Sequence, residues 1–286
     1  MRISVNWLND WLGKPAQARD LAERLTMAGL EVEAIEPAAP PLPGIVVGEI
    51  VEREKHPNAD SLSVCKVNAG GSELLQIVCG APNARAGLKA PLATLGTTMP
   101  GGMEIKKAKL RGVESSGMLC SARELGLAED SSGLLELPAE LRAGQPITEA
   151  LALDDTLIEI NLTPNRGDCM GVLGVAREAA VLTGTKLAGP EMHAVPAKSS
   201  DRFPVELVPG AGCARFAARV IRGVRPDAQA PLWMRERLRR AGLRPISAVV
   251  DVTNYVMLEL GQPMHAYDLR ELQGGIVVRR ARAGEM

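Results

Sequence analysis

The sequence predicts an α+β chain of several domains: a small α/β domain split by an inserted antiparallel barrel or sandwich, then a further mixed segment. Three observations carry this. The chain has 286 residues, more than one average domain. The apolar period changes from helical to alternating and back as the chain is followed. Two stretches break every period: "PAAPPLPG" (37–44), with four prolines in eight residues, and "GPEMHAVPAKSSDRFP" (189–204), polar and interrupted by proline.

The elements follow in order. "RDLAERLTMAGLEVE" predicts a short amphipathic helix with Asp20 as its cap and Glu23 in the capping-box position. Leu21, Leu25 and Ala28 share a face, and Gly29 stops the helix. "LEVEAIE" alternates and predicts a strand. Residues 39–151 then hold four short apolar runs, at 44–56, 62–68, 73–81 and 89–96, with a fifth within 108–120. Gly, Pro, Asn and Asp separate them, as expected of a small barrel or sandwich. "TLIEINLTPNRGDCMGVLGVAREAAVLTG" predicts strand, loop and helix, with Asp168 capping the helix and Gly184 closing it. Its likeness in scale to the start of the chain assigns 1–38 and 152–195 to one split domain. In 205–286, "VELVPGAGCARFAARVIRGVR" predicts two strands. "PLWMRERLRRAG" predicts a helix from Pro231 to Gly242. "ISAVVDVTNYVMLELG" is too long for a strand and predicts a helix ending at Gly261.

Composition excludes several classes. No apolar run approaches the roughly 20 residues that span a bilayer, and "MRISVNWLNDWLG" has acidic and polar breaks that a signal peptide lacks. The five cysteines are dispersed, odd in number and without a Cys-x-x-Cys pair, so neither a disulfide framework nor a zinc site is expected. A soluble, reducing, cytoplasmic setting without a membrane partner follows as an expectation. Residues 201–286 carry 14 cations against 9 anions, a net of +5 in a chain whose total is −1. That excess suits a polyanionic partner or, equally, a salt-bridged surface.

Few motifs carry chemistry. Lys106, Lys107, Lys109 and Arg111 place four cations in six residues of the barrel region. Such a cluster can track a phosphate backbone, or protect an edge strand from pairing. Residues 39–150 contain no Phe, Tyr or Trp, which removes the stacking platforms of single-strand binders. "NRGDCMGVLG" fits neither the Walker nor the dinucleotide spacing and is expected to be a turn leading to a cap. His56 is a turn residue before Pro57. His193 lies in the second linker, and no Ser or Cys has a histidine near it. His265, in "GQPMHAYD", is a lone imidazole at the end of an apolar segment, where a structural bond to a carbonyl or to Asp268 is the common role.

Four segments resemble a known family in the same order. "GEIVEREKHPNADSLSVCKV…QIVCGAPNARAG…AKLRGVESSGMLCSARELGL" resembles a tRNA-binding oligonucleotide-barrel (OB-fold) module. "ISVNWLNDWL", "NLTPNRGDCMGVLGVARE" and "RPISAVVDVTNYVMLELGQPMHAYD" resemble the N-terminal portion of the β chain of bacterial phenylalanyl-tRNA synthetase, a class II aminoacyl-tRNA synthetase. The resemblance implies a five-stranded OB-fold within the split domain and the incomplete beginning of an α/β editing domain of B3/B4 type at 205–286. It implies tRNA(Phe) and the synthetase α chain as partners in an α2β2 assembly. ATP and Mg2+ would serve the complete enzyme, with no metal ligand in this chain. In editing, His265 would bind or orient the terminal ribose or the attacking water. Pro263 would fix its loop, Thr253 and Asn254 would give polar contacts, and Arg244 would meet the tRNA 3′ end. Residues that recognise the tyrosine hydroxyl would lie past Met286, so this chain alone is expected to be inactive. The rival expectation is a non-catalytic tRNA-binding or assembly module.

Overall fold

The structure, a computed structural model, describes residues 1–285. β1 (Arg2–Ser4) runs into the short helix α1 (Val5–Asn9), whose first turn is capped by the Ser4 hydroxyl accepting from Trp7 N at 3.0 Å. α2 (Ala18–Met27) follows, then β2 (Glu31–Pro37). The expected cap at Asp20 is not formed. The helix starts earlier, after Gln17, and Asp20 instead takes the Arg24 guanidinium at 2.9 Å, one turn on. A carboxylate in a first turn is favourable there without acting as the cap. Leu21, Ala22 and Leu25 are the buried face, whereas Ala28 is exposed.

Five strands then form a nearly closed antiparallel barrel: β3 (Ile45–Lys55), β4 (Ser63–Asn68), β5 (Leu75–Cys79), β6 (Lys89–Ala93) and, after a hairpin, β9 (Met118–Leu119). Their order is β5-β4-β3-β6-β9. β3 makes the curvature possible by serving two partners. Residues Ile45–Glu49 pair with β6 and Glu49–Lys55 with β4, with a register shift between Ile50 and Glu52. The hairpin is β7 (Ala108–Leu110) and β8 (Val113–Ser115); Ser116 N donates to Gln76 O at 2.8 Å, drawing it onto the β5 edge. So the apolar run expected to be one strand is three short ones. Ile50, Cys65, Val67, Ile77, Leu92 and Leu119 fill the barrel. A second apolar cluster on its flank contains Leu42, Ile45, Val47, Cys120, Leu125 and Ile147. Ala38 and Leu42, within the proline-rich stretch, are buried, so that stretch packs on the structure instead of hanging free.

After α3 (Ile147–Ala150) the chain returns to the first sheet. β10 (Thr156–Asn161) inserts between β1 and β2, antiparallel to both. A 3-10 turn (Pro164–Cys169) precedes α4 (Val172–Thr183). Asp168 therefore does not cap α4, whose N-cap is Gly171; Asp168 is held within the turn by Arg166. Gly184 closes α4 in the left-handed region, at φ 63°.

The last part holds β11 (Val205–Leu207), α5 (Leu232–Arg240), α6 (Ala248–Leu260) and β12 (Ile276–Val278). β11 and β12 pair in parallel, a pairing with no mark in the local pattern. The second strand expected before Arg225 does not form. Ile221 and Val224 are 70% and 51% exposed, so that alternation has no face to bury. α6 is the helix its length predicts. Leu238 of α5 and Tyr255 of α6 belong to the same buried cluster as Trp7, Leu8, Leu25, Ile158 and Val175, so the helices and the first sheet share one core.

Candidate nucleic-acid interface and hydrolytic segment

The cation cluster lies on the β7–β8 hairpin, and half of it is neutralised locally. Lys106 pairs with Glu104 at 2.8 Å and Lys107 with Glu114 at 2.9 Å. The Lys107 ammonium holds the Glu114 carboxyl below its ordinary value. Lys109 and Arg111 make no ion pair among the described residues. Arg111 and Gly112 form the tight turn, both at positive φ (47° and 93°). Gly adopts that conformation freely, whereas an arginine there costs on the order of 1 kcal/mol. Lys109 and Arg111 are exposed.

What holds this tip in place was not legible as a motif. His56 is 2% exposed. Its Nδ1 accepts from Asn58 N at 3.0 Å, so its Nε2 carries the proton and donates to Leu110 O at 3.1 Å. Asn58 Nδ2 donates to Arg111 O at 3.0 Å. The "HPN" turn thus clasps the hairpin tip. The two facing carbonyls lie over fifty residues away in sequence, so no local pattern announces the pairing.

In the last segment the expected editing residues are dispersed. Thr253 donates its hydroxyl to Val250 O at 2.8 Å, one turn back on α6. Asn254 is half-buried on the same helix, and Arg244 is exposed in the α5–α6 connection. Pro263 and His265 follow Gly261 (φ 70°) on an exposed loop. The His265 ring stacks on Tyr267 at 5.9 Å with 20° between planes. Asp268, the expected partner, is held instead by Arg270 at 2.6 Å, which depresses its carboxyl to about 2. Among the described residues no hydrogen bond joins any two of Arg244, Thr253, Asn254, Pro263 and His265.

Polar order is concentrated between this segment and the first sheet. Trp7 stacks on Tyr255 at 5.0 Å, and Arg237 lies over the Trp7 and Trp233 rings at 5.4 and 5.6 Å. Glu259 accepts from both Trp7 Nε1 (3.1 Å) and Tyr255 Oη (2.9 Å), while Arg237 reaches Tyr255 Oη at 2.9 Å and Asp10. Burial pushes the Tyr255 phenol up to about 12, against the Arg237 charge. Below it, the buried Asp155 carboxylate meets Arg240 Nη1 (2.9 Å), Asn6 N (3.0 Å), Thr156 N (2.8 Å) and the Ser4 hydroxyl. None of these residues was singled out by sequence reasoning, because the contacts that join the two regions, such as Trp7 with Glu259 and Asp155 with Arg240, are made only by folding.

Residues 45–146 match the family described as "Putative tRNA binding domain", and residues 212–286 match "B3/4 domain". A phenylalanine–tRNA ligase beta subunit of Dickeya dadantii is 55% identical over 285 residues, all of this chain and 36% of the relative. Its counterpart in Aromatoleum aromaticum is 58% identical with the same coverage. The solved structure of a MetRS related protein from Pyrococcus horikoshii is 28% identical over 35% of this chain and 85% of that one, with a TM-score of 0.27. The barrel match would suit a free-standing module; the B3/4 match and the alignment along the whole chain do not. This chain, spanning 36% of the length of those relatives, belongs to the family of phenylalanine–tRNA ligase beta subunits.

Proposed function

We propose that this chain serves as part of the β subunit of phenylalanine–tRNA ligase, binding tRNA(Phe) and contributing to hydrolysis of mischarged Tyr-tRNA(Phe). The observation that carries this reading is the similarity to such subunits along the whole chain, which takes in both the barrel and the B3/4 segment. The α chain would attach phenylalanine with ATP and Mg2+ in a cytoplasmic α2β2 assembly. Among the described residues no three His, Cys, Asp or Glu side chains converge as a metal site.

On the barrel, Lys109 and Arg111 are the contacts to phosphate. Lys106 and Lys107 join them only by exchanging their carboxylate partners, which reduces their share of the counterion release. The barrel has no aromatic platform, which favours backbone contact over base stacking.

The hydrolytic role answers a selectivity problem. A pocket built for an apolar side chain rejects an analogue bearing one added hydroxyl by only about a hundredfold. Clearing the mischarged product requires water held against the ester carbonyl and donors for the developing oxyanion, not a covalent nucleophile. His265 is the residue of this chain suited to orient the terminal ribose or that water. It is exposed, steadied by Tyr267, and free of the carboxylate that would otherwise occupy it. Arg244 faces the 3′ end, Thr253 and Asn254 add polar contacts, and Pro263 restricts the loop.

The test is binding of deacylated tRNA to this chain across a salt series. A linear fall of log affinity with log salt supports the reading. No binding at low salt would leave the barrel an assembly module and remove tRNA from its role.

A further inference from the structure

The barrel is joined to the rest of the chain at two crossings that lie side by side. One is at Ala38, directly after β2; the other runs from Leu151 to Asp155, directly before β10. Ala38 N donates to Asp155 O at 2.9 Å. Two adjacent crossings of this kind form a natural hinge, since a few residues there can absorb a change in backbone angles. Ala152, within the second crossing, already sits at φ 49°.

α5 grips both crossings. Arg239 Nη2 donates to Ala38 O at 3.1 Å. Arg240 Nη2 donates to Leu151 O at 2.9 Å, and its Nη1 to Asp155 at 2.9 Å. Neighbouring residues project about 100° apart around a helix, so consecutive arginines reach separate targets. Glu236, one turn earlier, holds both guanidinium groups, at 2.9 Å from Arg239 and 3.5 Å from Arg240. The side chains of Asp155, Arg240, Glu236 and Arg239 are 0%, 6%, 11% and 19% exposed, so water does little to screen them. The same helix buries Leu238 in the core of the first sheet and lays Leu232 against the flank of the barrel.

We infer that Glu236, Arg239 and Arg240 form a lock on the hinge of the barrel, through which α5 fixes the angle between the barrel and the B3/4 segment. They are positioning residues for delivering tRNA held on the barrel to the hydrolytic loop; this role rests on the function proposed above, while the lock itself does not.

The lock is tested on this chain by energy transfer between dyes at Lys109→Cys on the barrel and Val181→Cys on α4, with Cys213→Ser removing the half-exposed thiol. Arg239→Gln removes the grip on Ala38 and leaves the Asp155–Arg240 pair intact. The double variant Asp155→Asn with Arg240→Met removes the buried charge together with its partner, so no unpaired ion remains to unfold the chain. Both variants are expected to broaden or shift the distance distribution while circular dichroism stays unchanged. A single wild-type distribution in both would overturn the lock. In the full-length subunit assembled with its α chain, Arg239→Gln should lower kcat for Tyr-tRNA hydrolysis about tenfold. KM should stay within about twofold and phenylalanylation unchanged, with partial rescue by Arg239→Lys, which keeps a donor for Ala38. Altered distances with normal hydrolysis would refute the delivery role. Failure of the wild-type chain to bind tRNA would refute the proposed function and leave the distance result standing.

Discussion

His265 shows how little a single residue type discloses. Its imidazole lies on an exposed loop, stacked on Tyr267, while the carboxylate nearest in sequence is committed to Arg270. A structural histidine would be engaged; this one is available. In the full-length enzyme His265→Ala should slow clearance of Tyr-tRNA at least tenfold and leave phenylalanylation within about twofold. Equal losses in both reactions would return His265 to a folding role. The cysteines make the opposite case. Burial raises the Cys65 and Cys169 thiols to about 11 and Cys120 to about 12, and raises Cys79 as well. At pH 8 a disulfide reagent should therefore titrate Cys213 alone in the native chain, and all five thiols after unfolding. Above pH 9, the ordinary value of an unfolded thiol, the unfolded chain binds fewer protons than the folded one until about pH 12. Stability must fall as pH rises through that window, which urea midpoints at pH 8, 10 and 11 would measure.

At the scale of elements, close approach decides which positions tolerate change. A Cβ on Gly174 would lie 1.8 Å from Asp168 O, backbone that cannot move without opening the 3-10 turn ahead of α4. Gly174→Ala should cost about 3 kcal/mol, seen as a lower denaturation midpoint with an unchanged m-value. Ion pairs divide by burial in the same way. Arg240→Met leaves Asp155 buried without its cation and should cost about 4 kcal/mol. Removing the exposed Lys55–Asp60 pair by Asp60→Ala should cost less than about 1 kcal/mol. Near-equal losses in thermal melts would mean that the Asp155 site is hydrated in solution. The capping expectations failed at this scale for one reason. Asp20 and Asp168 are good caps by residue type, but each has an arginine within four residues that competes for its oxygens.

For the whole molecule, the first sheet with its helices and the B3/4 segment are parts of one frame because Trp7, Leu238 and Tyr255 share a core, while the barrel keeps cores of its own. If the barrel is the tRNA-facing part, neutralising Lys109 and Arg111 together should reduce the salt slope of tRNA binding by about two. The melting temperature should stay unchanged, since both side chains are exposed. An unaltered slope would move the contact to another face. The sequence by itself determined the elements whose signal is local. These are the helix at 248–260, the alternating barrel strands, the closing glycines at 184 and 261, and the motifs that carry the family resemblance. Periodicity and turn chemistry act within a few residues, so a chain read in order displays them. Only the tertiary structure decided that β10 enters between β1 and β2, that β11 pairs with β12, that His56 clasps the hairpin, and that Arg239 and Arg240 hold the two crossings of the barrel. Those contacts join residues tens to more than two hundred positions apart. Their energies come from burial and complementary geometry, which no window of sequence contains.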